Sequence, residues 1–356
     1  MRKVVIVGAG KTGRGFIGRL AAEAGCEILF VDTNEALVEK LNAAGCFEVS
    51  FFGDVRESVK VSAFKAATWE TADLGDAELI FVSVGGQNLE AVGNMLREKL
   101  PEGKHYYIIT GENASSPADK LTKVIGRADV TVSEATVFCT TVDNGEVGIA
   151  SENYPYLQCD KDRLGGYVPF IPAVKPVGEF GNFLTRKLYT YNAASCVIAY
   201  LGAVKGYTVY SDAANDPEIL ALLDRNYEAS NRAMCLEFGY TPEDQAEFAL
   251  LSRDKFTSTA IRDSVERNAR DVARKMAPGE RIIGIMNLVL KHGGDAAVLE
   301  QTAAAALLYK ADPKWEKQRD EMGLEGLLKD FCGLEDEALV ARILAYVPAM
   351  EQGKLA

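Results

Sequence analysis

The chain has 356 residues, which is long for one hydrophobic core and comfortable for two domains. Its formal net charge of -12 repels phosphate backbones and anionic lipid, so we expect neither nucleic acid nor a membrane as a partner. The seven cysteines show no C-x-x-C spacing, which predicts reduced thiols and a cytoplasmic location. Because there are only two histidines and no close ligand spacing, we expect no metal site.

The first half of the chain alternates short apolar segments with helical patterns. The apolar segments are rich in β-branched residues and several end in glycine, as buried strands do. This alternation predicts a doubly wound parallel sheet, which places an α/β domain over residues 1–185. The predicted strands are 4–7, 27–31, 79–84, 106–110 and 130–132.

The second half loses its strand signals and shows long amphipathic patterns. These patterns predict a mostly α-helical domain over residues 186–356, with the boundary near 180–186. The sequence leaves the oligomeric state open. The predicted helical segments are 186–204, 216–238, 242–253, 280–291, 296–308 and parts of 313–349.

A glycine-rich turn follows the first predicted strand and opens a helix. Its sequence, from Gly8 through Gly10 to Gly13, is G-x-G-x-x-G. Gly8 permits the tight turn, Gly10 lets a pyrophosphate approach the backbone, and Gly13 lets the helix pack on the strand. The pyrophosphate would face the positive end of the helix dipole. This context favours a Rossmann dinucleotide site over the alternative, a glycine turn with a purely structural role.

Asp32 follows the second predicted strand, about 20 residues beyond the turn, where an acidic residue binds a ribose diol. Its carboxylate would repel a 2′-phosphate, so the expected cofactor is NAD and not NADP. Lys11 and Arg14 argue mildly against this choice, since both could meet a phosphate. We expect them to face the pyrophosphate or solvent.

A second informative segment begins at Lys187. In an α-helix at 100° per residue, Lys187, Ser195 and Asn192 lie at about 0°, 80° and 140° and share a face. A buried lysine near a helix N-terminus has a lowered pKa and suits a general base. A neighbouring asparagine can donate to a developing alkoxide. The alternative is an ordinary surface lysine on an amphipathic helix.

This segment resembles the K-x-x-x-x-N-x-x-H signature of the polyol-specific long-chain dehydrogenase/reductases, the mannitol dehydrogenase family. The opening turn resembles the family's G-A-G-x-x-G-R-G-F-I-G, and residues 263–275 resemble its D-x-V-E-R-x-x-R-x-x-x-R-K segment. Glu112-Asn113 resembles its E-N or D-N pair. Two C-terminal segments, 322–327 and 332–334, also resemble the family. The resemblance therefore runs along nearly the whole chain.

The resemblance implies an NAD-dependent oxidoreductase that acts on polyols without zinc. Lys187 matches the family's general base, and Asn113 and Asn192 match the asparagines that polarise the reacting oxygen. Arg267 and Lys275 match two substrate-contacting positions. These roles are carried over from the family position by position.

The chain departs from the family pattern at three places. Ser195 stands where the signature has histidine, and a serine hydroxyl can hydrogen-bond a substrate but cannot titrate near pH 7. Residues 137–140 lack the family's Asp-Arg pair, and residues 255–258 replace its Arg-Phe-x-Asn-Pro element. These departures concern the identity of the substrate and catalytic competence, and leave the expected fold and cofactor intact.

The basic residues of segment 263–275 bear on the substrate. If the segment is one helix, Arg267, Arg270, Arg274 and Lys275 fall within a sector of about 140° and form one cationic face. Guanidinium groups fit phosphate oxygens, so we expect a sugar alcohol phosphate as substrate, with a ketose phosphate as product. The alternative for this cationic face is a solvated surface whose charges are ion-paired. The alternative functions for the protein are a dehydrogenase of an unphosphorylated polyol or uronate and a non-catalytic NAD-binding protein.

Overall fold

The computed structural model describes residues 2–53, 57–112, 114, 116–260 and 263–355. The chain divides into two compact units, Met1–Gly181 and Asn182–Ala356. The boundary expected from the sequence lay four residues further on, after residue 185. The first unit is an α/β Rossmann unit and the second is helical, which confirms the predicted fold class.

The first unit is built on twelve strands among its described residues, five of which overlap the predicted ones. The other seven are four or five residues long, and six of them carry polar residues at exposed or half-buried positions, so periodicity did not reveal them. The strands are β1 (Lys3–Val7), β2 (Glu27–Val31), β3 (Phe47–Phe51), β4 (Ser58–Val61), β5 (Phe64–Ala67), β6 (Leu79–Val82), β7 (Tyr106–Thr110), β8 (Val130–Thr136), β9 (Thr141–Asn144), β10 (Gly148–Ser151), β11 (Leu157–Asp160) and β12 (Val174–Val177).

Eight strands form the main sheet in the order β12-β11-β8-β7-β6-β1-β2-β5. The pairs from β5 to β8 are parallel, and β11 runs antiparallel to β8. From β1 the chain adds β2 and β5 on one side of that strand, and then crosses over to add β6 on its other side. The adjacent ends of β1 and β6 therefore form the topological switch point, where open α/β sheets bind their ligands.

A four-stranded sheet in the order β4-β3-β10-β9 was not expected from the sequence. Strands β3 and β10 pair in parallel, while the outer pairs are antiparallel. The first unit also has a π-helical turn over Gly13–Gly18. Its α-helices are α1 (Arg19–Glu23), α2 (Glu35–Ala44), α3 (Leu89–Lys99) and α4 (Pro117–Ile125).

The described residues of the second unit form α-helices and two π-helical turns, at Leu188–Asn192 and Leu327–Phe331. The segment 186–204 is helical as expected from the sequence, but the first of these turns replaces regular α-helix within it. The helices are α5 (Phe180–Lys187), α6 (Ala193–Val204), α7 (Tyr210–Ala214), α8 (Pro217–Phe238), α9 (Pro242–Thr257), α10 (Val265–Ala269), α11 (Val272–Met276), α12 (Ile283–Lys291), α13 (Ala297–Leu308), α14 (Pro313–Gly326) and α15 (Glu337–Met350).

Helix α6 is the centre of the second unit. It is buried around its whole circumference, including Cys196, Val197 and Tyr200, as expected for a helix surrounded by others. Helices α7, α8, α10 and α13 pack against it. Other helices therefore enclose α6, and the π turn between Lys187 and Ala193 leads directly into it.

Candidate active site

The glycine turn after β1 has the geometry that a dinucleotide site needs. Gly8 has a φ of +97°, and a Cβ there would collide with the carbonyl of Ser83. A Cβ on Gly13 would collide with the carbonyl of Gly8, so the π turn packs directly on the loop. Gly10, in contrast, has nothing within 4 Å of its Cβ position. Open space thus lies beside the residue expected to approach a pyrophosphate.

Asp32 is tied to the same turn. Its Oδ2 accepts a hydrogen bond from the Ala9 N–H over 2.7 Å, and its Oδ1 accepts from the Asn34 N–H over 2.9 Å. The carboxylate is half-buried at the end of β2. A carboxylate in this position can accept from a ribose diol and would repel a 2′-phosphate. The residues of this turn therefore fit NAD.

Of the two expectations for Arg14, that it faces the pyrophosphate or solvent, the structure excludes solvent. The side chain is buried, one Nη donates to the Ala9 carbonyl, and the other pairs with Asp143 at 3.3 Å. Burial lowers the pKa of the guanidinium, and the charge of Asp143 opposes that shift. Arg14 thus braces the glycine turn against β9. Lys11 is exposed, in agreement with the expectation for that residue.

The Glu112 carboxylate lies at the switch-point end of the sheet. It accepts hydrogen bonds from the backbone N–H groups of Val84 and Gly85, the latter over 3.0 Å to each oxygen. Burial raises its pKa, and the two backbone donors oppose the shift. Glu112 therefore fixes the loop after β6. Asn113, the next residue and a predicted partner of the reacting oxygen, lies outside the described residues.

Lys187 and Asn192 bracket the first π turn of the second unit. Lys187 ends α5, Asn192 ends the turn, and the Ala193 N–H donates to the Leu188 carbonyl five residues back. In a continuous α-helix the two side chains would point about 140° apart. A π turn closes between residues five apart, which brings Lys187 and Asn192 toward one face. Such turns occur frequently at functional sites.

Lys187 has the electrostatic character of a general base. Burial, and after it the positive charges of Lys255 and Arg281, together lower the pKa of its ammonium group to about 7. The expected dipole effect of a helix N-terminus does not apply, because Lys187 ends α5 and is not at its start. A lysine with a pKa near 7 exists in both protonation states at neutral pH, as proton transfer requires.

Lys255 and Arg281 reach this region on segments that pack against the π turn. The Tyr191 ring lies 6.3 Å from the ring of Phe256, the residue after Lys255. The Tyr189 hydroxyl donates to the Gly279 carbonyl over 2.9 Å, two residues before Arg281. No sequence pattern points to Arg281, and Lys255 stands out only as part of the element at 255–258 that departs from the family.

Ser195, in place of the family's histidine, accepts a hydrogen bond from the Tyr210 hydroxyl over 3.0 Å. Tyr210 is buried, and burial raises the pKa of its hydroxyl well above the ordinary value. The tyrosine thus stays protonated and acts as the donor. Ser195 keeps its own hydroxyl proton available for a second hydrogen bond. Tyr210 was not singled out in the sequence, where it reads as an ordinary aromatic core residue.

The segment 263–275 does not form the single helix that the cationic face assumed. Helix α10 ends at Ala269, Arg270 has a ψ of 162°, and Asp271 has a φ of +64° before α11 begins. The angles calculated for one helix therefore do not apply across this break. The four basic side chains must be placed one by one.

Three of these cations already have partners. Arg267 pairs with Asp263 at 2.9 Å, Arg274 pairs with Asp271, and the buried Lys275 donates to the Asn268 carbonyl. Burial lowers the pKa of Lys275. Arg270 is exposed and has no hydrogen-bond or ion-pair partner within the described ranges. Of the predicted phosphate ligands, Arg270 is thus the one whose donors are unused in the described structure.

The sequence also missed a buried polar cluster around Gln245. The Gln245 side chain is fully buried and hydrogen-bonds Arg186, Thr190 and Asn231. A signal was present, since Gln245 occupies the i position of an i, i+3, i+4 pattern with the buried Phe248 and Ala249 on α9.

The described residues lack two features, a metal-binding cluster and a membrane-spanning helix. No group of three or more histidine, cysteine, aspartate or glutamate side chains is placed to hold a metal ion. Within the same ranges, no helix is both long and apolar enough to cross a membrane.

Comparisons with known proteins agree with the two units. Residues 179–344 match the model of the mannitol dehydrogenase C-terminal domain, and residues 4–159 match that of ketopantoate reductase PanE/ApbA. A crystal structure of D-sorbitol dehydrogenase in substrate-free form has a TM-score of 0.79 at 14% identity, covering 98% of this chain and 93% of that one.

A second similar structure is the Pseudomonas fluorescens mannitol 2-dehydrogenase ternary complex with NAD and D-mannitol. Its TM-score is 0.67 at 13% identity, covering 98% of this chain and 92% of that one. At such identities the likeness is one of fold. The match to the mannitol dehydrogenase C-terminal domain covers nearly all of the helical unit, which follows a Rossmann unit in the chain.

Proposed function

We propose that this protein is an NAD-dependent oxidoreductase that interconverts a sugar alcohol phosphate and a ketose phosphate. The reaction is of the mannitol-1-phosphate 5-dehydrogenase type, between mannitol 1-phosphate and fructose 6-phosphate, with Lys187 as general base. One observation carries the proposal: Lys187, a half-buried lysine with a pKa of about 7, directly precedes a π turn that ends in Asn192. The position of both residues matches the signature of the polyol dehydrogenases.

The cofactor assignment is supported by the first unit. Open space beside Gly10 and the acidic Asp32 at the end of β2 favour a dinucleotide with an unmodified ribose. The ternary complex of the similar mannitol 2-dehydrogenase contains NAD. When bound, NAD supplies the acceptor for the hydride that leaves the substrate carbon.

The protein's own residues handle the proton and the reacting oxygen. In the oxidation direction, neutral Lys187 accepts the substrate hydroxyl proton on Nζ while the C–O bond becomes a carbonyl. In reduction the ammonium form returns that proton to the oxygen. Asn192, with Asn113 in the family's arrangement, donates to the oxygen as negative charge develops on it. Ser195 has a hydroxyl proton with which to orient a neighbouring substrate hydroxyl.

A phosphorylated substrate is supported by the positive charges of the second unit. Lys255 and Arg281 both place a positive potential at Lys187, although the ion pair of Arg281 with Glu280 at 3.1 Å reduces the contribution of Arg281. An anionic substrate group would offset that potential. Arg270, with its donors unused among the described residues, adds a guanidinium that suits phosphate oxygens. The expected contacts of Arg267 and Lys275 with substrate remain part of this proposal, although both are engaged within the chain.

Two other functions are supported by particular features. The similar mannitol 2-dehydrogenase is described in complex with D-mannitol, a free polyol, and a uronate would bring a carboxylate to the same cations. Ser195 in place of histidine favours a non-catalytic NAD-binding protein, because the family's titratable side chain is missing. The proposed function and these alternatives differ in the charge of the expected substrate and in whether turnover is expected.

A substrate screen with NAD separates these functions. Matched pairs of phosphorylated and free hexitols, together with hexuronates, are incubated with the protein while NADH absorbance is recorded. Turnover of a hexitol phosphate well above its free partner supports the proposal. Faster turnover of the free hexitol or of the uronate would show that the substrate is not a hexitol phosphate. NAD binding without turnover of any compound would show that the protein is not a dehydrogenase of these compounds and would support a non-catalytic NAD-binding protein.

A further inference from the structure

The side-chain amide of Gln245 connects three parts of the helical unit. Its Oε1 accepts from Arg186 Nε over 2.7 Å, and its Nε2 donates to Thr190 Oγ1 over 3.0 Å and to Asn231 Oδ1 over 2.9 Å. Arg186 is the second-last residue of α5, Thr190 lies inside the π turn, and Asn231 is on α8. One buried amide therefore fixes the helix before the turn, the turn itself and a neighbouring helix.

The Arg186 guanidinium, which donates to Gln245, makes several further contacts within the helical unit. Arg186 donates through Nη2 to the Asp244 carbonyl over 2.8 Å and pairs with the Asp244 carboxylate at 2.7 Å. Its guanidinium lies 4.2 Å from the ring centroid of Tyr240 and 4.3 Å from that of Phe248. Arg186 is buried and immediately precedes Lys187, so the backbone at the candidate base is anchored at this point.

A π turn needs such support. It has one more residue per hydrogen-bonded turn than an α-helix, so it persists where surrounding contacts favour it. Thr190 is 1% exposed and Gln245 is fully buried, so a broken hydrogen bond between them would leave unsatisfied polar groups without water. Relaxation of the turn to α-helical geometry would rotate Asn192 away from Lys187.

We propose that Gln245 is a positioning residue that holds the π turn, through Thr190 and Arg186, in the geometry that places Lys187 and Asn192 for proton transfer. The inference rests on the proposed role of Lys187 as general base. Gln245 itself touches neither substrate nor cofactor in this account. It acts through the register of the backbone between the two catalytic positions.

Two variants weaken the network to different degrees. Gln245→Met removes all three hydrogen bonds at nearly constant side-chain volume, and Thr190→Val removes one bond without a change of shape. Both should lower kcat by about 10- to 100-fold, the scale on which small misplacements act. Both should also shift the pKa that governs kcat/KM upward, toward the ordinary lysine value of about 10.4, because a loosened turn lets Lys187 reach water. Thr190→Ser, which keeps the hydroxyl, should restore both quantities.

Ser252→Ala is the matched control. Ser252 is fully buried on the same helix, α9, and hydrogen-bonds Tyr227 of α8 over 2.6 Å without touching the π turn. It should lower the melting temperature and leave the pH profile of kcat/KM unchanged. The affinity for NAD should be unaltered in every variant.

The outcomes distinguish the inference from the function on which it rests. A shifted profile in Thr190→Val, rescued in Thr190→Ser, supports positioning. An unchanged profile in Thr190→Val overturns it, as does a Thr190→Val protein that fails to fold while Ser252→Ala folds, since the bond then serves only the fold. If Lys187→Met retains activity, the role of the base fails instead, whatever the Gln245 variants do.

Discussion

The backbone N–H of Ala9 donates to Asp32 Oδ2 over 2.7 Å and so joins the first glycine turn to the end of the second strand. The same carboxylate accepts from the Asn34 N–H through its other oxygen. Asp32 therefore has two roles, one in shaping the turn and one in selecting the ribose. A substitution that removes the whole side chain affects both roles at once.

Two variants separate the roles of Asp32. Asp32→Asn keeps an acceptor oxygen for the turn but removes the charge that repels a 2′-phosphate, whereas Asp32→Ala removes both. We expect Asp32→Asn to narrow the preference for NAD over NADP with a modest loss of NAD affinity, and Asp32→Ala to weaken NAD binding further. Dissociation constants for both cofactors provide the test. Faster wild-type turnover with NADP than with NAD at equal concentration would contradict this role.

Lys187→Met should lower turnover by about 100-fold or more, the usual effect of losing a general base. In the wild type, oxidation should rise with pH through a single ionisation near 7, because the neutral amine accepts the proton. Reduction should instead be favoured at lower pH, because the ammonium form donates it. Steady-state rates across the pH range, in both directions, test this expectation.

Lys291→Met is the control for Lys187→Met. Lys291 lies in the same unit, is exposed, and pairs with Glu237 at the surface. It should retain wild-type turnover and pH dependence. A Lys187→Met enzyme within twofold of wild-type turnover would remove Lys187 from the mechanism, while equal NAD affinity in both variants would show that the cofactor site is intact.

The main sheet was predictable because its central strands are continuous apolar runs. Val4, Val5 and Ile6 are all fully buried, since helices cover both faces of a parallel sheet. The small sheet was not predictable, because strands such as β4 and β9 are four residues long and largely exposed. Too few buried positions remain there to establish a period of two.

The candidate site was predictable in its residues but not in its geometry. Lys187 and Asn192 stand out by resemblance, yet the π turn between them depends on one extra residue in the hydrogen-bond register, which hydrophobic periodicity does not encode. The break between α10 and α11 at Arg270 and Asp271 was not predicted for a similar reason. Asp271 is a non-glycine residue with positive φ, a conformation that aspartate adopts only when the surrounding structure favours it.

The depressed pKa of Lys187 also predicts an effect on stability that needs no substrate. Below pH 7 the lysine is protonated in the folded and unfolded chains alike. Between about pH 7 and the unfolded pKa of about 10.4, the unfolded chain binds more protons, so the free energy of unfolding rises with pH. Lys187→Met lacks this contribution and should be more stable than wild type at about pH 6, with the difference shrinking toward about pH 10.

Denaturant midpoints of wild type and Lys187→Met across this pH range provide the measurement. Lys291→Met again serves as the control, and its difference from wild type should not follow the same curve. A Lys187→Met difference that is constant with pH would mean that the lysine keeps its ordinary pKa in the folded protein.

Arg270 is the candidate ligand of the substrate phosphate. If its exposed guanidinium binds the phosphate, Arg270→Ala removes a charge-assisted hydrogen bond worth about 1.5–3 kcal/mol. The Michaelis constant for a hexitol phosphate should then rise by roughly 10- to 100-fold, while activity on the matching free hexitol stays nearly constant.

Arg274→Ala is the appropriate comparison, because Arg274 is similarly exposed but already pairs with Asp271. Arg274→Ala should raise the Michaelis constant for the hexitol phosphate much less, since Asp271 compensates the charge of Arg274. Equal losses on phosphorylated and free substrates would make Arg270 a structural residue, and equal effects of the two substitutions would reduce its role to general positive charge. Either result would leave Lys255 and Arg281 as the cations to test for the anionic group.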